Sequence, residues 1–427
     1  MWTYLDLIIF MHRQILLRTC SVILFGIASL YNQAIASAVT VDDVDGLIAA
    51  ISNANGGGDP TILLSDGTYH LNGRYLRITA DGVTVRSVGG RRNAVILDGD
   101  YETTEIFQVV ASNVTIADLT IKRAMYHPIH IMATGGENVT GSLIENVHII
   151  DPGQQAIKIN PDSGRTHTVD DGNIIGSLIE LTEDGRTKVW EINGSCYTGG
   201  IDAHAATGWK IQDNLIMGFW CSGGLSEHGI HFWSNSRNTL VERNQIIDCD
   251  RGIGFGLGSR GHNGGIIRNN MIYQGSGHGY SDVGIGMESA PGAKVYNNTI
   301  FLEHDYPNSI EYRFTSTTAV SIVNNLTNRA IEARDGASAD LSHNRTHAQP
   351  GWFTDINTGN LHLAGRINTV SDAGAVIAGL TDDFDKDSRP QGAGIDIGAD
   401  EYTTDAPGPS QTNNISSWLH LILNASP

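Results

Sequence analysis

The sequence predicts an all-β solenoid: one long coiled domain with a short helix capping its N-terminal end. Three observations carry this: a strand pattern repeated eight times, a column of asparagines in register with it, and capping segments at both ends.

The repeat comes first. Eight segments align: HPIHIM from His127, QAIKIN from Gln155, GGIDAH from Gly199, HGIHFW from His228, RGIGFG from Arg251, VGIGME from Val283, NSIEYR from Asn308 and RAIEAR from Arg329. Each carries an isoleucine at its third position, from Ile129 to Ile331, and a second inward residue two places later. Alternation with a period of two marks a strand with one buried face. A second family of strands precedes these, from IENVHI at Ile144 to IVNNLT at Ile322. It generates the column Asn214, Asn244, Asn270, Asn298, Asn325 and Asn344. Stacked amides hydrogen-bond from coil to coil, and asparagine tolerates the left-handed turn that would bend the chain there. Strands at one-coil spacing, with no helical repeat between them, mean a solenoid.

The ends complete it. Leu47–Leu71 reads as a short amphipathic capping helix followed by a first strand, and Asp382–Tyr402 as a closing segment. Caps are required because an open coil exposes core and a free sheet edge. The repeats and ends together resemble the pectate-lyase-like superfamily of right-handed parallel β-helix proteins, over roughly residues 40–402. The superfamily includes lyases, hydrolases, epimerases and binding proteins, so the resemblance implies a fold more than an activity.

The remaining segments set the boundaries. Arg13 and Arg18, the apolar run Ser21–Leu30 and Ala36-Ser37-Ala38 read as an export signal over residues 1–38. A single domain is expected over 39–402 and a disordered tail over 403–427, whose apolar Ile415–Leu423 is too short to anchor. A secreted or periplasmic monomer with no membrane contact after signal removal follows. Beyond Cys20 in the signal, three cysteines remain: Cys196 and Cys221 suit a loop disulfide, and Cys249 a buried thiol. The net charge, 27 − 46 = −19, argues against a nucleic-acid partner. It also obliges a polyanionic substrate to find a local cationic patch or a bridging metal.

Chemistry is sought on the outer face of the repeated strands. The residue after each aligned isoleucine gives His130, Lys158, Asp202, His231, Gly254, Gly286, Glu311 and Glu332. Two places further stand Met132, Asn160, His204, Trp233, Gly256, Glu288, Arg313 and Arg334. These columns describe an exposed groove of about 34 Å, long enough for several sugars in line. Gly254, Gly256 and Gly286 leave its middle open to a ligand. The densest constellation is Lys158, Asp202, His204 and His231. In it Asp202 would hold its neighbours charged and orient an imidazole.

Elimination from a uronate needs a base for the proton α to the carboxyl group and positive charge for the enolate-like intermediate. Lys158 or His231 supplies the base. His204, Arg251, Arg313, or a Ca²⁺ held by Asp202 or Glu288, neutralises the carboxylate. His130, Asn160, His228, Trp233, Glu288 and Glu311 line the groove as substrate contacts, with Trp233 placed to stack on a pyranose. The reading is therefore an acidic-polysaccharide lyase. The resemblance agrees, since lyases of the superfamily place Lys, Arg or His bases, often with Ca²⁺, on such a face. Hydrolysis needs two carboxylates about 5–10 Å apart. Glu288 with Glu311, or Glu311 with Glu332, would suit, although salt bridges to Arg313 and Arg334 explain them more simply. C5-epimerisation and non-catalytic glycan binding are also compatible with such a groove. No metal site is specified: His204, His228, His231 and Asp202 form one on paper, and Asp383, Asp385 and Asp387 read as a solvated turn. Two loops complete the picture. Ser163–Asn173 would wall the groove with His167, Asp170 and Asp171. Gly275–Asp282 would offer Tyr280 as an acid.

Overall fold

The computed structural model describes residues 38–403; the expected export signal and tail lie outside the described residues. The chain winds through three parallel sheets in fixed order, one strand in each per coil. The first sheet has 12 strands, from Ala38–Val41 to Ala339–Ser342. The next has 10, from Gly67–His70 to Leu326–Thr327, and will be called the back sheet. The third also has 10, from Leu76–Ile78 to Ala330–Arg334, and contains all eight aligned segments; it is the groove sheet. Their register is the predicted one. Ile129 pairs with Ile157, and the series continues through Ile201, Ile230, Ile253, Ile285 and Ile310 to Ile331. The first seven have no exposed surface and form the spine of the core.

The asparagine column is a continuous ladder. Each Nδ2 donates to the Oδ1 of the next coil, from Asn214 to Asn244 at 2.9 Å and onward to Asn344. The left-handed residue at each bend is not the ladder asparagine but the one before it: Asp213, Arg243, Asn269, Asn297, Asn324 and His343. This division frees the ladder side chain to point inward while its neighbour takes the bend.

Two expectations about helices and ends need correction. Helix α1 (Val44–Asn55) caps the N-terminal end as predicted, with Asp43 accepting from Gly46 N. A second helix, α2 (Glu183–Asn193), departs from the all-strand reading, and it accounts for much of the long step from Ile157 to Ile201. The C-terminal segment does not close the far end of the coil. It folds back along the outer face of the back sheet as a strap. There Phe353, Leu361, Phe384 and Ile397 bury Leu215, Ile247, Tyr273 and Phe301. Buried Arg389 ties the strap together through Glu401 (2.7 Å) and the carbonyls of Gly398 and Ala399. Asp383 likewise is no solvated turn. It is buried and accepts from the amides of Asp385, Asp387 and Glu401. The terminal coil carries its inward residues in the open: Leu341, stacked on Ile322, is exposed.

Candidate active site

Three columns of side chains face outward from the groove sheet, one more than alternation predicts. In the middle coils the second residue of the repeated segment is glycine (Gly200, Gly229, Gly252 and Gly284), and it turns inward. A Cβ on Gly229, Gly252 or Gly284 would meet Ile246, Ile272 or Ile300 at 3.3, 3.2 and 2.7 Å. The residue before it is thereby turned out. His228 shares the parity of core Ile230, yet its ring lies on the outer face over Gly254, with a Cβ there only 2.6 Å from Nε2.

The predicted constellation does assemble, but beneath the surface rather than on an open groove. Asp202 is its hub. Lys158 Nζ and Trp233 Nε1 (2.7 Å) donate to its carboxylate, His204 Nε2 approaches at 3.2 Å, and His231 Nδ1 at 3.4 Å. Burial pushes the Asp202 carboxyl up, but the adjacent His204 and His231 imidazoles and the Lys158 charge outweigh it and hold it well below the carboxylate range. Lys158 and Asp202 are buried, and His231 has no exposed surface. Burial also lowers His204, against the pull of Asp202, so it is a weak source of positive charge. The Trp233 ring is not free for a sugar. It stacks on His231 at 5.2 Å, meets His204 edge-on, and carries the Arg260 guanidinium 4.1 Å above it. His130 and Asn160 pair with each other (3.2 Å), and His130 also binds Glu105 (2.7 Å), at the N-terminal end of the groove.

The open space lies one to two coils further on. A cavity of about 520 Å³ is lined by His228 and Arg251 on one side, Glu288, Arg313 and Glu311 on another, and Tyr306. Of the three groove glycines, Gly286 alone opens the floor; its Cβ would meet only Val283, at 3.1 Å. Gly254 makes room for the His228 ring, and Gly256 has φ +79 with the Glu288 carbonyl filling the place of a Cβ. Arg251 pairs with Asp282 (3.2 Å), Arg313 with Glu288 (3.1 Å), and Arg334 with Glu311 (3.0 Å). Asp202 and Glu288 are each engaged in a separate cluster, Asp202 with Lys158 and Glu288 with Arg313. Tyr306 donates to Glu311 (2.7 Å), and burial together with that carboxylate raises its phenol.

His228 stands apart from these paired groups. Its Nδ1 is buried with no hydrogen-bond partner. Burial lowers it well below the usual imidazole range, helped by the charges of His231 and Arg251, so it is neutral at pH 7. Ligand atoms of Glu227, His228 and His231 come within 4.8 Å of one another, and the Nδ1 of His231 also lacks a hydrogen bond of good geometry. These three could hold a transition metal; two imidazoles are poor ligands for Ca²⁺.

The two loops behave differently from expectation. His167 binds Asp162 and Asp170 binds Thr207, away from the cluster. Arg165 is the residue of that loop that reaches the groove edge, donating to Ser234 Oγ at 2.7 Å. Tyr280 is exposed rather than directed into the cavity lining; Tyr306, which no sequence pattern singles out, takes that place. Cys196 and Cys221 form the disulfide, and Cys249 is free and buried.

Residues 158–360 match the model of a family described as periplasmic copper-binding protein (NosD). Among solved structures the chain is similar to the pectate lyase Pel9A, at 17% identity and a TM-score of 0.58, over 82% of this chain and 90% of that one. It is also similar to an alginate lyase from Paenibacillus sp. str. FPU-7, at 18% identity and a TM-score of 0.50, over 73% and 98%. These likenesses establish the right-handed parallel β-helix. No curated protein matches the chain.

Proposed function

We propose that the protein is a polysaccharide lyase that cleaves a uronic-acid-containing polymer by β-elimination in the Gly286 cavity. The observation that carries this is the neutral, unpartnered imidazole of His228 beside Arg251, at the wall of the cavity that opens over Gly286. In this reading His228 removes the C5 proton of the uronate. Arg251 and Arg313 neutralise the carboxylate as negative charge develops on it. The C4–C5 double bond forms, the C4–O bond breaks, and Tyr306, kept protonated by burial and Glu311, gives its proton to the leaving oxygen. Lys158, Asp202, His204 and His231 act from behind as positioning residues, since the His231 ring packs against His228 in a tilted contact at 4.2 Å. That both similar structures are lyases supports the reaction class, and the periplasmic character of the matched family supports an exported protein.

The test is a substrate panel of alginate, pectate, glucuronan and glycosaminoglycans, followed by the ultraviolet absorbance of unsaturated ends. New reducing ends without absorbance would make the protein a hydrolase using Glu288 and Glu311. Changed uronate stereochemistry without cleavage would make it an epimerase. Binding without product would leave a glycan-binding module. With a base of depressed pKa, the acidic limb of the rate profile should fall well below pH 6.5.

A second reading is metal binding, favoured by the Glu227–His228–His231 group and by the description of the matched family. The two readings compete for one lone pair. Cu²⁺ that binds with micromolar affinity and abolishes elimination fits a lyase with His228 as base. Activity lost in chelator and restored by a divalent cation, Ca²⁺ included, shows a metal-dependent lyase instead.

A further inference from the structure

The turns that lead into the groove strands stack along one edge of the sheet. Backbone hydrogen bonds join Gln154 N to Tyr126 O (3.0 Å), Glu227 N to Thr198 O (2.9 Å) and Asp282 N to Asp250 O (2.8 Å). Four large aromatic side chains stand exposed in or beside this row: Tyr126 at 37%, Trp190 at 44%, Tyr197 at 41% and Tyr280 at 45%. Two of them belong to the insertion that no other coil has. Trp190 lies on α2, and Tyr197 in the loop after it. The mount is rigid. The Cys196–Cys221 disulfide pins that loop to the next coil, and Trp190 rests against Gly223, where a Cβ would stand 2.8 Å from the ring. Trp220 on the next coil is a brace, packed against Arg186 at 4.2 Å and stacked on His278 at 4.3 Å. Exposed aromatic surface held rigidly in water is unfavourable, and a contiguous patch of it marks a binding face.

We propose that Trp190 and Tyr197, with Tyr126 in the same row, form a platform that binds the polysaccharide outside the cavity by stacking on its sugar rings. A pyranose presents a flat face of C–H bonds that matches an aromatic ring and leaves hydroxyls and carboxylates free. The platform adjoins the edge from which His228 and Arg251 rise, so a chain leaving the cavity along the groove passes over it. Tyr126 and Tyr197 precede strands two coils apart, about 10 Å along the axis, a step close to two sugar units. The proposal rests on the reading of the groove as a polysaccharide site, and it places the longer part of the substrate toward the N-terminal coils.

The experiment uses the full chain on the polymer that the substrate panel identifies and on its short oligomers. The double variant Trp190→Ala/Tyr197→Ala should raise KM for polymer about tenfold or more while kcat on the shortest cleaved oligomer stays unchanged. Trp190→Phe and Tyr197→Phe, which keep a ring, should recover most of the affinity and serve as the control for folding. An unchanged KM for polymer in the alanine variant, with wild-type circular dichroism, overturns the platform. If no polymer is cleaved, retardation in glycan-containing gels replaces KM. Retardation lost in the alanine variant and kept in the phenylalanine variants upholds the platform while the lyase reading fails; retardation equal in all of them overturns the platform.

Discussion

Gly254→Ala tests the assignment of the base without touching it. Gly254 lies outside the left-handed region, so alanine costs no backbone strain. Its methyl carbon would stand 2.6 Å from His228 Nε2, 2.7 Å from Cδ2 and 2.9 Å from Cε1. Non-bonded carbons settle at about 3.5 Å, so the ring must move by roughly 3.5 − 2.6, or about 0.9 Å. Its freedom to move is restricted, because the fully buried His231 ring packs against it with the centroids 4.2 Å apart. The imidazole therefore shifts within the cavity wall. A misplacement near 1 Å costs about 100-fold in rate, whereas overpacking of this size costs about 1–3 kcal/mol of stability. The expected result is kcat/KM lowered about 100-fold with a thermal midpoint only a few degrees down. Absorbance of unsaturated ends measures the first and calorimetry the second. A folded Gly254→Ala protein with wild-type kcat/KM would refute His228 as base.

Three further outcomes follow from the geometry. Arg251→Ala removes the cation nearest His228 and should lower kcat/KM by about 10²–10³, with partial recovery in Arg251→Lys, which restores charge but not the planar fork; an unchanged kcat would reduce Arg251 to a binding role. Asn270→Ala deletes the bonds to Asn298 (2.9 Å) and Val241 O (3.0 Å) and strands the amide of Asn244, so denaturant unfolding should show a loss of about 3 kcal/mol; a wild-type midpoint would mean that the ladder contributes nothing. The C-terminal strap should loosen as pH rises. Burial raises Asp383 to about 7 and Asp396 to about 6. Burial lowers His362, but its bond to Asp385 and the neighbouring carboxylates outweigh that and raise it to about 9. Groups with raised native pKa stabilise below their unfolded values and lose that contribution as pH climbs through the native ones. Protection factors for the Phe353–Leu363 amides, corrected for the intrinsic rise of exchange with pH, should therefore fall from about pH 4 to 9, and protection that increases over that window would contradict the assignment.

The groove sheet is legible in the sequence because one physical rule governs it: every inward residue of eight segments has to fill the same core, so isoleucine recurs at a fixed place. The Asn214–Asn344 ladder is legible for the same reason. What the local pattern does not show is anything set by distant contacts. The strap is an example. Asp382–Tyr402 has the composition of a terminal segment, and nothing in it reveals whether it covers the end coil or the outward face of Leu215, Ile247 and Phe301. Helix α2 is another. Its polar run Glu183–Asn193 has few apolar residues to announce it, with Gly185 and Val189 alone buried, and it is held by its cap at Thr182 and by neighbouring turns.

The site shifts for a subtler reason. Alternation along a strand tells outward from inward, but in a solenoid outward does not mean exposed. Neighbouring coils stand about 4.8 Å apart, so long side chains on adjacent coils cover one another. Trp233, Lys158 and His228 do this to Asp202 and His231. Exposure then requires a place where coils withhold side chains, and Gly286 provides it. The same reasoning yields a signal that alternation alone passes over. A small residue stands second in seven of the eight segments, just before the recurrent isoleucine: Ala156, Gly200, Gly229, Gly252, Gly284, Ser309 and Ala330. An inward kink there turns the first residue out, which moves His228 and Arg251 from strand starts to the wall of the cavity. The dense cluster of charged residues is thus buried, and the proposed base is the group that this cluster leaves without a partner.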